Sequence, residues 1–416
     1  MGMNSDFSLK QACGSDSDKA IVFYVPSLFC LHLFQRMAPG LQARGWVVVF
    51  LTHRFSVWLR ARLAGIRCNL LQPANGPVAR PDCLPEKTAA VKLGRLSIAA
   101  AERVQDAVWQ ALMEICERFP VKAIGLWNGL HVESRAASAF ARAYALRTIF
   151  FELGNIEPKL FVDPEGANAA SLLARRPQIL DSILPAPDEI SAWRARLVER
   201  SAHDTNPPQA KGLANINFWL FLDRPAALLL RIPQPSPVSF ARAVRRKLRF
   251  WLFSKPRSVK PLGRYVFLAL QSSTDTNVLL FSQHDNLSAI AIAAKRAEEL
   301  GVRLVVKPHP AERQSDFLSA VSNICASENH LLTSWNTAEL ISGAEEIIVI
   351  NSSVGLEAKA LGKPVTILGD SLYGAFSPQQ IAAYALNHLL DFDPFGAALA
   401  SPTVMERISA LIEPTP

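Results

Sequence analysis

Two short segments carry the residue types from which phosphate chemistry can be built. One is Val305-Val306-Lys307-Pro308-His309-Pro310. The other is Ile348-Val349-Ile350-Asn351-Ser352-Ser353-Val354-Gly355-Leu356-Glu357. Each begins as an apolar run of strand type and ends in small, polar or turn-forming residues. Ser352 and Ser353 stand where a strand turns into a helix. Their hydroxyls and the free N–H groups of the first helical turn make an anion site. Lys307 adds a cation and His309 an imidazole that can carry a proton, on a loop fixed by Pro308 and Pro310. A His-Pro alone reads as a loop, and a Ser-Ser alone as a helix cap. At adjacent strand ends, the two together point to a phosphate-bearing ligand, most economically a nucleotide-sugar.

The elements that must position these groups alternate strand and helix with short links, the pattern of a doubly wound parallel sheet. The second segment runs into a helix over 355–361, stopped by Gly362-Lys363-Pro364, and then a strand, Val365 to Gly369. Tyr265 to Leu270 is a strand ending in Gln271-Ser272-Ser273-Thr274-Asp275, and Leu287 to Leu300 a helix. The N-terminal half repeats the scheme. Strands are expected at 20–25, 46–51, near 67–71, at 121–129 and at 148–151. Helices are expected at 28–44, around 56–64, at 94–119 and at 131–146. The strand at 148–151 runs into Glu152-Leu153-Gly154-Asn155 and a loop through Asn168. Glu152, Glu157, Asp163 and Glu165 there are candidates for acid/base or nucleophile chemistry. Glu152 stands out because it follows an apolar strand directly. No G-x-G-x-x-G is present, which disfavours a dinucleotide oxidoreductase.

With 416 residues the chain is expected to hold two or three domains. A formal net charge of +8 favours anionic partners. The six cysteines are scattered without C-x-x-C spacing, against a zinc site or a disulfide framework and for a reducing compartment. Met1 to Ala20 lacks the apolar core of a signal peptide. No apolar run is long enough to span a bilayer. A cytoplasmic location is expected, with contact to the inner face of the membrane through Arg242–Phe253, where bases and aromatic residues mix. Nucleic acid is not expected, since no DNA- or RNA-binding signature accompanies that block. Asp391-Phe392-Asp393 is read as the end of a helix and not as a metal site.

Taken together, Gln271…Asp275, Lys307-Pro308-His309-Pro310 and Asn351-Ser352-Ser353-Val354-Gly355-Leu356-Glu357-Ala358, with Gly362-Lys363-Pro364-Val365 and Tyr373, resemble the bacterial capsule polysaccharide synthesis family. Phe150-Phe151-Glu152-Leu153-Gly154-Asn155 and Glu165-Gly166-Ala167-Asn168 are also similar to it. The likeness runs from about Val121 to Tyr373. That family includes β-Kdo transferases. The resemblance implies an α/β, GT-B-like fold of two Rossmann-like, doubly wound domains facing a cleft. The corresponding division is a lead at 1–18, an acceptor domain at 19–180, a helical basic and apolar linker at 181–260, a nucleotide-sugar domain at 261–390 and closing helices at 391–416.

The resemblance also implies transfer from CMP-Kdo with no metal or other cofactor, to a lipid-linked or oligosaccharide acceptor, alongside other capsule assembly proteins. The donor nucleotide would meet Gln271, Asp275, Lys307, His309, Pro310, Asn351, Ser352, Ser353, Glu357 and Tyr373. Glu152 matches the acidic residue expected at the anomeric centre. Some relatives place an Asp after that Glu, where this chain has Leu153, so Asp163 and Glu165 stand beside Glu152 and His309 as catalytic candidates. CMP-sialic acid and CDP-glycerol are the alternative donors. A catalytically silent assembly or export partner is the alternative of another class.

Overall fold

The computed structural model describes residues 19–78, 84, 86, 88–203, 220–235, 257–310, 312, 314–328 and 330–413. The lead at 1–18 and the basic block Arg242–Phe253 lie outside the described residues. Two sheets organise the rest. The first has the order β3-β2-β1-β4-β5-β6, with β1 Lys19–Tyr24, β2 Trp46–Thr52, β3 Cys68–Leu70, β4 Val121–Trp127, β5 Arg147–Leu153 and β6 Leu160–Asp163. The second has the order β11-β10-β7-β8-β9, with β7 Tyr265–Ala269, β8 Arg303–Lys307, β9 Leu331–Leu332, β10 Glu346–Val349 and β11 Val365–Ile367. Among these strands the pairings are parallel except β5 with β6.

Both sheets thus run outward from their first strand through two more and then resume on its other side. The order reverses between β1 and β4 in one sheet and between β7 and β10 in the other. At such a switch point the flanking loops leave to opposite faces, and a crevice opens at the carboxyl ends of the strands. The strands read as unbroken apolar runs because helices cover both faces; Ala20 to Tyr24 are at most 1% exposed.

The helix Leu28–Gln42 starts where Ser27 accepts from the Cys30 N–H, and Gly45 follows it with φ 79°. The helix expected over 94–119 starts later, at Ile98, where Ser97 caps Ile98–Arg118; the stretch before it holds a short turn of helix, Ala89–Lys92, followed by Gly94 at φ 61°. The loop expected after Glu152 contains a strand instead: β6 pairs antiparallel with β5, Glu152 opposite Phe161. Its apolar core, Leu160-Phe161-Val162, is too short to show a period in the sequence.

The two units share a core. Phe161, Leu180 and Trp193 from the first pack with Leu356, Tyr373, Phe376 and Tyr384 of the second. Trp193 sits on the helix Pro187–His203 and donates its indole N–H to Glu157 at 2.8 Å. Past Leu390, which bonds back to Leu160, the chain returns to the first unit. The helix Pro402–Ile412 places Val404, Met405, Ile408 and Ile412 in its core. Arg36 ties this return through the carbonyls of Asp393, Pro394 and Ala398. Two Rossmann-like units with a C-terminal helix crossing back make the GT-B-like arrangement. Asp391 and Asp393 lie in a turn of that crossing and not at a helix end; Asp393 accepts from the Phe395 N–H. Among the described residues no helix is long and apolar enough to cross a membrane.

Candidate active site

The crevice of the second sheet is built around two amides. Gln271 follows β7 and Asn351 follows β10, so they meet across the switch point. Gln271 Nε2 donates to Asn351 Oδ1 at 2.9 Å, and Gln271 Oε1 accepts the Asn351 backbone N–H at 3.0 Å. Gln271 also donates to Asp275 at 3.3 Å. Asn351 Nδ2 donates to the carbonyls of Asn277 and Asp370. Gln271 is 4% exposed, so these bonds are shielded and the turn at Asn351 is held against β7. Asp275 has a second task, capping the helix Thr276–Phe281 through the Asn277 N–H at 2.8 Å.

Ser352 is the N-cap of the helix Ser353–Ala360; its Oγ accepts from the Val354 N–H at 3.3 Å. That role leaves the hydroxyl hydrogen free to donate. Tyr373, 1% exposed, gives its hydroxyl to the Ser352 carbonyl. Burial pushes the Tyr373 phenol upward, and Glu357 adds to the shift. Gly355 is required at this turn: a Cβ there would overlap the Tyr373 hydroxyl and a Val349 methyl. Tyr373 is therefore a support under the serine turn.

Lys307 is engaged elsewhere. Its ammonium donates to the Trp335 carbonyl and the Thr337 hydroxyl, each at 2.6 Å. Burial lowers its pKa to about 8, against the favourable charge of Glu357. His309 is half-buried and Pro310 exposed on the loop after β8. A residue with no mark in the sequence fixes this loop. Glu312, 3% exposed, accepts from the Ser273 N–H and the Gln314 N–H, each at 2.7 Å, while its own N–H bonds the His309 carbonyl. It joins the His309 loop to the loop after β7. A single acid in a polar loop reads in sequence as solvated, so no signal marked it.

Of the carboxylates in the first unit, Asp163 and Glu165 are held by other groups. Asp163 accepts four backbone N–H groups, from Glu165, Gly166, Leu172 and Leu173, at 2.8 to 3.1 Å. Burial pushes its pKa up, and those amides with Arg175 pull it back. Glu165 is exposed and paired with Arg175.

Glu152 differs from both. It ends β5, accepts from the Leu153 N–H at 2.9 Å and takes the Asn128 side-chain amide on its other oxygen. Burial raises its pKa; the Leu153 amide, Asn128 and His131 oppose this, and the negative charge of Asp275 adds to it. Asp275 belongs to the second unit, so the two carboxylates lie near enough to feel each other's charge across the units. Asn128 reaches Glu152 because the turn after β4 is left-handed at both Asn128, φ 63°, and Gly129, φ 80°, a conformation that asparagine tolerates and most residues do not.

The structure thus gathers Gln271, Asp275, His309, Asn351, Ser352, Ser353 and Glu357 at the carboxyl ends of β7, β8 and β10; Glu152, on β5 of the first unit, is within electrostatic reach of Asp275. Groups of three or more His, Cys, Asp or Glu able to hold a metal are absent among the described residues.

Residues 122–377 match the family described as capsule polysaccharide biosynthesis protein. The chain is 34% identical over 114 residues to Protein FixF of Sinorhizobium fredii, covering 26% of this chain and 27% of that one. It is 23% identical over 270 residues to the capsule polysaccharide export protein KpsS of Escherichia coli, covering 59% of this chain and 65% of that one. Less than two thirds of either relative is therefore spanned. Among solved structures, KpsC of Thermosulfurimonas dismutans, described as a beta Kdo 2,7 transferase, aligns over 94% of this chain and 98% of its own, with 15% identity and a TM-score of 0.45. The family match takes in β4 to β11 and every group of the crevice, more than half of the molecule: the chain belongs to the capsule polysaccharide biosynthesis protein family.

Proposed function

We propose that the protein is a glycosyltransferase of capsule-type polysaccharide assembly. It takes a sugar from a CMP-activated donor, CMP-Kdo before others, and passes it to a hydroxyl of a lipid-linked or glycan acceptor. The observation that carries this reading is the electrostatic reach of Glu152, on the first unit, to Asp275 at the crevice of the second sheet. A sugar phosphate seated at the start of the helix Ser353–Ala360 would present its anomeric carbon toward the first unit, where Glu152 ends β5. The choice of CMP-Kdo follows the resemblance of the motifs.

The chemistry is consistent from the residues upward. A departing CMP gathers negative charge on its phosphate. In this reading the N–H groups at the helix start, the Ser352 hydroxyl and the His309 imidazole stabilise that charge. A carboxyl whose pKa is raised by burial is suited to proton transfer with the acceptor hydroxyl, or to covalent attack if the anomeric configuration is retained. In this reading protein groups, not a metal, carry the leaving charge. An acceptor lipid would bring the enzyme to the inner face of the cytoplasmic membrane, with Arg242–Phe253 meeting anionic headgroups.

The test is CMP release from CMP-Kdo by the purified protein in EDTA, with a glycan acceptor. The expected result is turnover that survives the chelator and falls about 10²- to 10⁴-fold in Glu152→Gln, with CMP binding retained. Equal turnover in that variant would remove Glu152 from the chemistry. Absence of turnover in the unaltered protein, together with absence of CMP binding, would overturn the transferase reading.

A further inference from the structure

The helix Leu220–Leu229 lies against the first unit with its polar residue turned inward and its leucines turned out. Asp223 moors it. The carboxylate accepts the Ser56 N–H at 2.7 Å, the Ser56 hydroxyl at 3.0 Å and Arg54 at 3.3 Å. These bonds hold the helix at the start of a second one, Phe55–Leu63, against which it packs. Beyond the helix, Ile232 enters the core of the first unit and Gln234 donates to the His53 carbonyl at 3.4 Å. Leu222, Asp223, Ala226 and Ala227, spaced as one face of a helix, are half-buried on the mooring side.

The other side reverses the amphipathic order of a surface helix. Arg224, Pro225, Leu228 and Leu229 are exposed there, the two leucines by 82% and 83%. Leu63, at the end of the neighbouring helix, is 72% exposed. A single leucine on a surface is ordinary; an adjacent pair on a helix fixed from behind marks a contact surface. Its charge is one-sided. Residues 54–67 and 220–235 hold six arginines, Arg54, Arg60, Arg62, Arg67, Arg224 and Arg231, and one acid, Asp223, which is bonded to Ser56 and Arg54. The exposed residues of the two helices are therefore leucines and bases without an acid. An anionic bilayer meets both properties, since leucines enter the acyl boundary while guanidinium groups stay with headgroup phosphates. Nucleic acid would engage the arginines and leave the leucines in water. A second copy of the face would set arginine against arginine.

We propose that the outward face of the helices Leu220–Leu229 and Phe55–Leu63 is a docking surface for an anionic lipid bilayer, with Leu228 and Leu229 inserted below the headgroups. The block Arg242–Phe253 takes no part in this surface, and the surface does not depend on the transferase reading. Arg54 and Ser56 follow the end of β2, so docking here brings the carboxyl edge of the first sheet up to the headgroups. A substrate carried on lipid is then met without leaving the bilayer; that consequence alone rests on the transferase reading.

The test is co-sedimentation of the full chain with vesicles of phosphatidylcholine alone and of phosphatidylcholine with an equal share of phosphatidylglycerol, at low and at high salt. The parent is expected to bind the anionic vesicles, more weakly as salt rises, and to leave the neutral ones. The double variant Leu228→Ser/Leu229→Ser is expected to lose about tenfold or more in affinity, and Arg62→Gln about fivefold. Both should melt with the parent, since the altered side chains are exposed. Both leave Arg242–Phe253 intact, so their loss assigns the attachment to this face. Anionic binding equal in the parent and the leucine variant would overturn the proposal. So would a parent that binds no anionic vesicle, or that binds neutral ones as well. A dimeric parent whose leucine variant runs as a monomer would also overturn it, because a second copy would then cover the face. Leucine-dependent vesicle binding by a protein that CMP does not protect from unfolding would support the surface and remove the donor reading.

Discussion

Asp163→Ala separates a structural carboxylate from a chemical one. Asp163 accepts four backbone N–H groups on its two oxygens. Two of these bonds, from Gly166 and Leu173, are buried; those from Glu165 and Leu172 are half-buried. The half-buried amides can turn to water, at a cost of about 0.5–1 kcal/mol each. The buried two cannot, and each stranded donor costs about 1–3 kcal/mol. The variant is therefore expected to lose on the order of 4 kcal/mol. For a unit of this size that is a fall of roughly 10 °C in its melting transition. The loss should appear in scanning calorimetry and in urea unfolding, where the midpoint moves while the slope stays constant. Asp163→Asn should lie between, since one amide oxygen can still accept. An Asp163→Ala protein that melts with the parent yet has no transferase activity would refute this reasoning and return Asp163 to the catalytic candidates.

Gly355→Ala should disturb the serine turn without touching a donor group. The added methyl displaces Tyr373 from the Ser352 carbonyl, and CMP affinity is expected to fall about tenfold or more in calorimetric titration. His53 should give the protein an acid limb. Its folded pKa is about 3 against an ordinary 6.5, so between those values the unfolded chain binds a proton that the folded one does not. Stability is then fully present above pH 6.5 and falls as the pH drops toward 3, by on the order of 4 kcal/mol from this residue. His53→Gln should flatten that limb in pH-dependent urea unfolding; an unchanged limb would show that the ring is solvated.

The doubly wound architecture was legible because it depends on apolar run lengths and on breakers such as Gly45, Gly301 and Gly362, all at positive φ. The crevice of the second sheet was legible for a related reason. Gln271, His309, Asn351 and Ser352 follow strands directly, and a parallel sheet sends every strand end to one edge. What the sequence could not show was which way each side chain turns. Lys307 and His309 are two residues apart, yet Lys307 bonds Trp335 and Thr337, 28 and 30 residues on. Asp163 read as an acid in a loop; it ends a strand whose partner, β5, runs antiparallel to it. Glu312 carried no local signal, because what sets it apart is burial by residues distant in the chain. The return of residues 391–413 to the first unit was hidden likewise, since an amphipathic helix does not reveal which core it completes.

Nucleotide protection tests the central claim most directly. The purified protein is melted with CMP, CDP, UDP and GDP, and again as His309→Ala. A ligand that binds the folded state must raise its apparent stability. The account predicts a rise with CMP that exceeds the others and is lost or much reduced in His309→Ala. A rise with UDP or GDP in place of CMP would contradict the donor. No rise with any of the four would contradict the assignment of the crevice between β7 and β10 as a nucleotide site.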